Sequence, residues 1–225
     1  MFNITLICTR HEELGACNSN ELYQIIAAIH PEVIFEEIPP SYFDKYYTHK
    51  SHSILETEAV NKYLETHNVR HIPVDSEHLP FESFLQDHTN MNFRIEGLAD
   101  IHGFTYRKLT DIYISQITKY GFKYLNSVYC DNYFSELDDT IVNGLKKLND
   151  DRLFQTYKIW EEIHDNRENE IIGNIYHFSQ DHSYNRAICM VEAGHRKSII
   201  QKIQAYETAQ KIKLSWSFYN YEYYR

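Results

Sequence analysis

The chain has 225 residues, of which 43% are hydrophobic, and it contains only 7 Gly and 5 Pro. This composition excludes a disordered or low-complexity protein and predicts a single domain over residues 1–225. The formal net charge of −10, with histidines counted as neutral, disfavours nucleic-acid partners, because non-specific binding to a phosphate backbone needs a basic face.

The chain shows neither a secretory signal pattern at its start nor an apolar stretch of membrane-spanning length. We therefore expect a cytoplasmic protein without a membrane partner. Its four cysteines form no C-x-x-C pair, and Cys8 and Cys189 lie inside apolar runs. We expect buried free thiols rather than a disulfide framework.

The first part of the chain alternates between strand and helix patterns. Short apolar runs predict strands at residues 3–8, 33–35 and 71–74. Apolar residues at helical spacing predict helices at residues 19–29 and 53–67, the first capped by Asn18 or Ser19. This β-α-β-α-β order predicts an α/β fold with a mainly parallel central sheet flanked by helices.

The middle of the chain carries a different pattern. Apolar residues recur at helical spacing from about residue 92 to 175, and Asp138 and Asp150 are candidate helix N-caps. We expect residues 92–165 to form a helical insertion or cap over the carboxyl edge of the sheet strands. Such an insertion would form the wall of a substrate pocket.

The end of the chain returns to strand patterns. Residues 187–191 predict a buried strand, a helix follows His195, and alternation over residues 212–218 predicts an edge strand. The aromatic tail from Trp216 to Tyr224 offers an edge that could pair with a second copy in a homodimer. The alternative is a tail packed on its own domain.

Ionisable residues follow each of the predicted parallel strands. In chain order they are His11, Glu36, Glu37, Asp75 and His195. Because α/β folds bind ligands at the carboxyl ends of their strands, we expect these side chains to share one site. Imidazole and carboxylate groups bind divalent transition metals, or act as acid and base on water. Each residue alone has a simpler interpretation as a turn residue, a helix cap or a solvated charge.

A further polar group lies in the helical part of the chain. Arg167, Glu170 and Asn174 share one helical face by their spacing. An arginine there could hold a substrate anion or a developing oxyanion. Taken alone, the spacing favours a surface ion pair between Arg167 and Glu170, which contributes little to stability.

Four short segments, in this order, resemble the TraB/TIKI group and the erythromycin-esterase-like and ChaN-like proteins grouped with it. The family pattern is G-x-x-H after a strand, a second strand of form P-x-x-x-x-x-E, an Arg near an Asn, and G-x-G-H after a late strand. Here the segments are Cys8-Thr9-Arg10-His11, Pro31 to Glu37, Arg167-Glu168-Asn169 and Glu192-Ala193-Gly194-His195. The resemblance places Glu37, not Glu36, at the family's glutamate, and Asp75 resembles an acidic residue of some members.

The sequence departs from the family pattern at two positions. Cys8 and Glu192 stand where the family usually has glycine, which permits close backbone approach. Cys8 would crowd the site, and Glu192 would add a carboxylate to it. The resemblance implies several activities, because TIKI-like members are metal-dependent peptidases, erythromycin-esterase-like members hydrolyse a lactone with a water-activating histidine, and ChaN-like members bind haem iron.

The first hypothesis is a hydrolase that cleaves an amide or ester in a small-molecule or peptide substrate. His11, Glu37 and His195 would bind a divalent metal ion, or would position and activate water directly. Arg167 would stabilise the oxyanion or anchor a substrate anion. The groups expected to support them are Glu36, Asp75, Glu170 and Glu192. The alternative is a non-catalytic metal-, haem- or ligand-binding protein on the same fold, or an inactive homologue.

Overall fold

The computed structural model describes residues 2–209 and 212–220, and within them five strands form an all-parallel sheet. In chain order the strands are β1 (Phe2–Thr9), β2 (Val33–Glu36), β3 (Arg70–Pro73), β4 (Arg186–Glu192) and β5 (Leu214–Phe218). Their order across the sheet is β3-β2-β4-β1-β5. The predicted α/β fold with a parallel central sheet is confirmed.

Helices account for most of the remaining described residues. They are α1 (Ser19–Ile29), α2 (Phe43–Tyr47), α3 (Leu55–Leu64), α4 (Glu82–Glu96), α5 (Ile101–Tyr120), α6 (Phe122–Leu125), α7 (Val128–Leu148), α8 (Asp151–Asp181) and α9 (Arg196–Ala209). Helix α1 packs against α3, and α8 packs against α9. Within the described ranges, none of the helices combines the length and apolarity needed to cross a membrane.

The central strands are the most buried part of the molecule. Val33, Ile34 and Phe35 are all fully buried in β2. Because successive strand residues point to opposite faces, both faces of the sheet are covered at this strand. Each buried side chain of this kind contributes about 1.5–3 kcal/mol to folding. The strands that carry the candidate site therefore form a rigid support for it.

The strand register sets the geometry of the carboxyl edge. Strand β4 lies between β1 and β2, with Thr9 opposite Glu192 and Glu36 opposite Met190. The segments that follow β1, β2 and β4 therefore leave the sheet side by side. The position of β4 between β1 and β2 therefore brings the loops after Thr9 and Glu192 together, although these two residues are far apart in the sequence.

Local sequence determines where two of the helices begin. The Asn18 side chain accepts a hydrogen bond from the backbone N–H of Glu21 at 3.0 Å, which confirms the predicted cap of α1. Asp150 accepts from the first backbone N–H groups of α8 at 3.1 and 3.4 Å, as predicted. The prediction of Asp138 as a cap is wrong, because Asp138 lies inside α7 and accepts a hydrogen bond from the Tyr157 hydroxyl.

The helical segment has a small core of its own. Met91, Ile95, Leu145 and Leu153 form a buried cluster that is separate from the sheet core. The segment extends beyond the predicted 92–165 on both sides, because α4 begins at Glu82 and α8 continues to Asp181. Helix α8 joins the two cores. Its first turns pack in the helical cluster, and its second half contributes apolar residues to the sheet core.

The last strand lies at one edge of the sheet. Strand β5 begins at Leu214, slightly later than predicted, and pairs in parallel with β1. Tyr219 follows it and is buried. The part of the predicted aromatic tail at residues 221–225 lies outside the described residues.

Candidate active site

The structure brings Glu37 and His195 into direct contact. Glu37 follows β2, His195 follows β4, and Glu37 Oε1 lies 3.3 Å from His195 Nε2. His11 follows β1 and lines a small cavity together with Glu36 and Glu37. The loops after these three strands therefore share one edge of the sheet, as the motifs predict.

His195 is held between two carboxylates. Its Nδ1 lies 2.8 Å from Glu168 Oε1, its Nε2 faces Glu37, and only 2% of its side chain is exposed. Burial alone would lower the pKa of His195, but the charge of Glu37 and the hydrogen bond to Glu168 raise that pKa to about 10. At neutral pH the ring is an imidazolium, with Nδ1 hydrogen-bonded to Glu168 and Nε2 in an ion pair with Glu37.

Glu37 contacts three donors, as Glu168 does. Arg167 Nη2 donates to Glu37 Oε1 at 2.8 Å, and the backbone N–H of Glu192 donates to Oε2 at 2.6 Å. Burial would raise the pKa of Glu37, but the nearby charge of His195 and then that of Arg167 lower it to about 2. Glu37 is therefore ionised at neutral pH.

Arg167 connects the cluster to the loop after β3. It makes a bidentate pair with Asp75, with Nε at 3.1 Å from Oδ1 and Nη2 at 2.8 Å from Oδ2. The interpretation of Arg167 as the partner of Glu170 in a surface ion pair is wrong, since Glu170 is exposed and Arg167 turns toward the sheet. The Arg167 donors seen here hold two protein carboxylates.

The chain of alternating charges continues on the other side of His195. Lys202 Nζ lies 2.7 Å from Glu168 Oε2 and 2.6 Å from Asp165 Oδ1, and the Ser198 hydroxyl also donates to Glu168. Opposite charges alternate from Asp75 to Lys202. Removing one member of such a buried network costs about 3–5 kcal/mol, because it leaves a charge without its partner.

His11 has a different environment. Its Nδ1 lies 3.2 Å from Glu56 Oε1, which also accepts a hydrogen bond from the Thr9 hydroxyl at 2.7 Å. The hydrogen bond to Glu56 outweighs burial and raises the pKa of His11 to about 9. Its side chain is 44% exposed, and Nε2 has no hydrogen-bond partner among the described residues. Glu56 thus orients an imidazole whose second nitrogen stays accessible.

Glu36 is buried, so its interpretation as part of a solvated pair is wrong. Its Oε1 lies 3.1 Å from His71 Nδ1, and the Tyr47 hydroxyl donates to Oε2. Burial raises the pKa of Glu36 despite these hydrogen bonds. Glu36 therefore belongs to a separate buried cluster with His71 and Tyr47, beside the one built on Glu37.

Cys8 and Glu192, the two residues that depart from the family pattern, lie in different environments. Cys8 is fully buried in the sheet core, and its backbone N–H donates to Asn126 Oδ1 at 2.7 Å. The expectation that Cys8 crowds the site is wrong. Glu192 is exposed, and it lines the larger cavity described below. Burial and then repulsion from Glu37 raise the pKa of Glu192.

All four cysteines are free and buried, as expected for Cys8 and Cys189. Burial raises the pKa of the Cys189 thiol and of the Cys8 thiol well above the ordinary range. These groups are therefore thiols rather than thiolates at neutral pH, and they act as small apolar residues of the core.

A metal centre made of His11, Glu37 and His195 stays a prediction. Imidazole and carboxylate are suitable donors, and Glu37 and His195 are in contact. His11 contacts Glu56 instead, and within residues 2–209 and 212–220 no three His, Cys, Asp or Glu side chains converge as a ligand group. No chemical step is therefore derived through a metal.

A larger cavity of about 550 Å³ opens next to this cluster, between the loop after β4 and helices of the helical segment. The residues that line it include Glu168, Glu192, Gly194 and His195. Its volume is within the range of about 300–1,000 Å³ that is typical of small-molecule sites. The cavity opens beside the loop after β4, at the carboxyl edge of the sheet.

Two carboxylates of the site, Glu56 and Glu168, were not predicted, but the sequence carries a signal for both. Glu168 precedes the buried Ile171, Ile172 and Ile175 by three, four and seven residues. Glu56 has the same spacing to the buried residues Ala59, Val60 and Tyr63. A carboxylate on the apolar face of a helix must find a cation or a donor inside the protein.

Comparisons of the chain with protein-family models, with curated proteins and with solved structures give no match. Fold and site together define an α/β protein with a parallel sheet and an ionisable cluster at the carboxyl edge of its strands. The resemblance to the TraB/TIKI group rests on its four short motifs and stays a prediction.

Proposed function

We propose that this chain is a hydrolase that cleaves an ester or amide at the carboxyl edge of its sheet. One observation carries the proposal. His11 has one nitrogen held by the buried Glu56 and the other accessible, beside a charge network centred on His195. An imidazole oriented by a carboxylate is the arrangement used for general acid–base catalysis.

In the proposed reaction His11 acts on water through its accessible nitrogen. Neutral His11 accepts a proton from water at Nε2 while the water oxygen forms a bond to the substrate carbonyl carbon. The proton then passes from His11 to the leaving oxygen or nitrogen as the carbon–heteroatom bond breaks. Because the pKa of His11 is raised to about 9, the neutral form increases as the pH rises toward 9. Activity is therefore expected to increase over this range.

The His195 cluster has a positioning role in this proposal. Both nitrogens of His195 and the observed donors of Arg167 are engaged with carboxylates, so these groups fix the loops after β2, β3 and β4. We therefore assign Arg167 to positioning Glu37 and Asp75 rather than to an oxyanion. Such preorganisation keeps reacting groups in place without reorganisation during the reaction.

The test measures hydrolysis of a panel of p-nitrophenyl esters and peptide amides by the purified chain and its variants. His11→Ala is expected to lower kcat/KM by about 10²–10⁴, because it removes the general acid–base. His177→Ala, which removes an exposed histidine of α8, is the control and is expected to leave the rate unchanged. A wild-type rate in His11→Ala would reject the assignment.

A ligand-binding protein without catalysis is the second candidate. It is favoured by the full engagement of both His195 nitrogens, which leaves that ring no donor for a substrate. Elemental analysis and an absorbance spectrum of protein purified without added metal distinguish a metal centre from a haem-binding protein. A stoichiometric metal lost in His11→Ala and His195→Ala would support the predicted metal centre, and a haem-type band would support the binding protein.

Location and assembly are also part of the proposal. We propose a cytoplasmic enzyme, because all four cysteines are free. We propose small-molecule or peptide substrates and no nucleic-acid partner. The edge strand β5 makes a homodimer the alternative to a monomer. Sedimentation of the full chain against a chain truncated after Leu214, with circular dichroism to verify folding, distinguishes the two.

A further inference from the structure

The cavity beside the His195 cluster has an aromatic wall. Four aromatic side chains line it: Tyr106, Phe134, Tyr157 and Trp160. The Trp160 ring stacks on His88 with 3.9 Å between centroids and lies 4.2 Å from His164, whose ring is 4.7 Å from that of His195. A line of rings therefore leads from α4 across α8 to the charge network.

The two imidazoles in this wall are neutral at physiological pH. Burial lowers the pKa of His88 to about 4. Burial, and then the positive charge of His195, lower the pKa of His164 to about 3. Neither ring brings positive charge to the cavity, so both act there as flat, weakly polar surfaces.

Negative charge predominates among the remaining lining residues. The carboxylates are Asp138, Glu161, Asp165, Glu168 and Glu192. The cationic side chains that line the cavity are His195 and Lys197, and Lys202 pairs with two of the carboxylates. The lining therefore keeps a negative balance even when all three cations are counted.

Two acceptors in the lining lack a partner. Glu161 has no ion pair or hydrogen bond within the described residues, and burial and the charges of Asp138 and Glu168 raise its pKa. Asn92 Oδ1 is buried and likewise has no hydrogen-bond partner in the described part of the chain. A buried acceptor without a donor, such as Asn92 Oδ1, is costly, so a ligand that supplies an N–H group would be stabilised there. Glu161 is exposed and offers a carboxylate without a cation of its own at the mouth of the cavity.

We infer that this cavity binds an organic cation, namely an ammonium group on the substrate of the proposed hydrolase. The ammonium group would lie between Glu161 and the ring of Tyr157, one helical turn earlier on α8, because a cation is attracted by both a carboxylate and an aromatic face. The ester or amide would then extend past Glu192 toward the accessible nitrogen of His11. The inference rests on the proposed function for the bond that is cleaved and on the cavity alone for the cation.

Binding is tested by calorimetry with three probes: benzyltrimethylammonium, benzyl alcohol and phenylacetate. We expect the cation to bind about tenfold more tightly than the other two. Glu161→Gln is expected to weaken binding of the cation about fivefold to tenfold without affecting benzyl alcohol. Glu162→Gln removes the same charge from the neighbouring position, which does not line the cavity, and is the matched control. Equal binding of all three probes, or equal losses in the two variants, would overturn the inference.

Hydrolysis of p-nitrophenyl esters whose acyl chain ends in an ammonium, a methyl or a carboxylate group separates this inference from the proposed function. A preference of about tenfold in kcat/KM for the ammonium ester supports both. Hydrolysis without that preference overturns the cation site and leaves the hydrolase. Cation binding without hydrolysis of any ester or amide overturns the hydrolase and leaves the cation site.

Discussion

Two histidines at the same edge of the sheet have similar partners and different surroundings. His195 is 2% exposed and has a carboxylate on each nitrogen, whereas His11 is 44% exposed and has one. Carboxylates raise the pKa of both rings, to about 10 for His195 and to about 9 for His11. The comparison shows that pKa alone does not identify the reactive group. Accessibility of the second nitrogen differs between the two rings, and under the proposed function this difference gives His195 a positioning role and His11 the reactive one.

The largest effect on the free energy of unfolding is expected from His195→Ala. This change leaves Glu37 and Glu168 buried without their shared cation, and we expect a loss of about 3–5 kcal/mol in the free energy of unfolding. Urea denaturation followed by circular dichroism measures the loss. His177→Ala serves as the control, with a change within about 0.5 kcal/mol. A His195→Ala protein as stable as the control would contradict the network.

The pH dependence of stability is the next test of the comparison. The pKa of His195 is raised from its ordinary 6.5 to about 10 in the folded protein. Its contribution is therefore complete below about pH 6.5 and is lost as the pH rises toward 10. The free energy of unfolding, measured from pH 6 to 10, should fall more steeply in the wild type than in His195→Ala. Parallel curves would show that His195 is not bound as an imidazolium.

A smaller effect is expected from Glu56→Gln. The glutamine keeps the shape and a hydrogen-bond acceptor but removes the charge beside His11, so the pKa of His11 should fall from about 9 toward its ordinary 6.5. NMR titration of the His11 ring measures the change, and the His195 ring is the internal control. Under the proposed function, the rise of activity with pH moves to lower pH by the same amount. An unchanged His11 pKa would exclude Glu56 as its partner.

The smallest change in stability is expected from His11→Ala. Glu56 keeps its hydrogen bond from Thr9, and the lost pair is partly exposed, so the free energy of unfolding should fall by only about 1 kcal/mol. The same denaturation experiment measures it beside His195→Ala. A loss as large as that of His195→Ala would remove the contrast between the two histidines.

The sheet was predictable because its strands are short apolar runs that alternate with helical spacing. Strands β1, β2 and β4 all occur where the apolar runs predict them, each extended by one or two residues. The long helix α8 was harder to delimit, because it packs in two different cores and its apolar face changes partner along its length. Asp138 shows a further limit, because a residue suited to a cap can equally accept a tertiary hydrogen bond inside a helix.

The site was predictable where its residues follow strands and not where they lie on helices. His11, Glu37 and His195 were predicted because each lies just after the end of a strand, and the structure places Glu37 and His195 in contact. Arg167 was found as a polar group, but its partners were not, because they come from loops about 90 and 130 residues earlier. Helix spacing gives only neighbours on the same helix, so the sequence pointed to Glu170 instead.

The position of β4 between β1 and β2 has a consequence for the order of folding during synthesis. Cys8 pairs with Val191, so the sheet cannot close until nearly all of the chain has left the ribosome. Until then β1 and β2 each present an unsatisfied edge, and contacts between residues so distant in sequence form slowly. A nascent chain interrupted before β4 therefore lacks both the central strand of the sheet and the second member of the histidine pair.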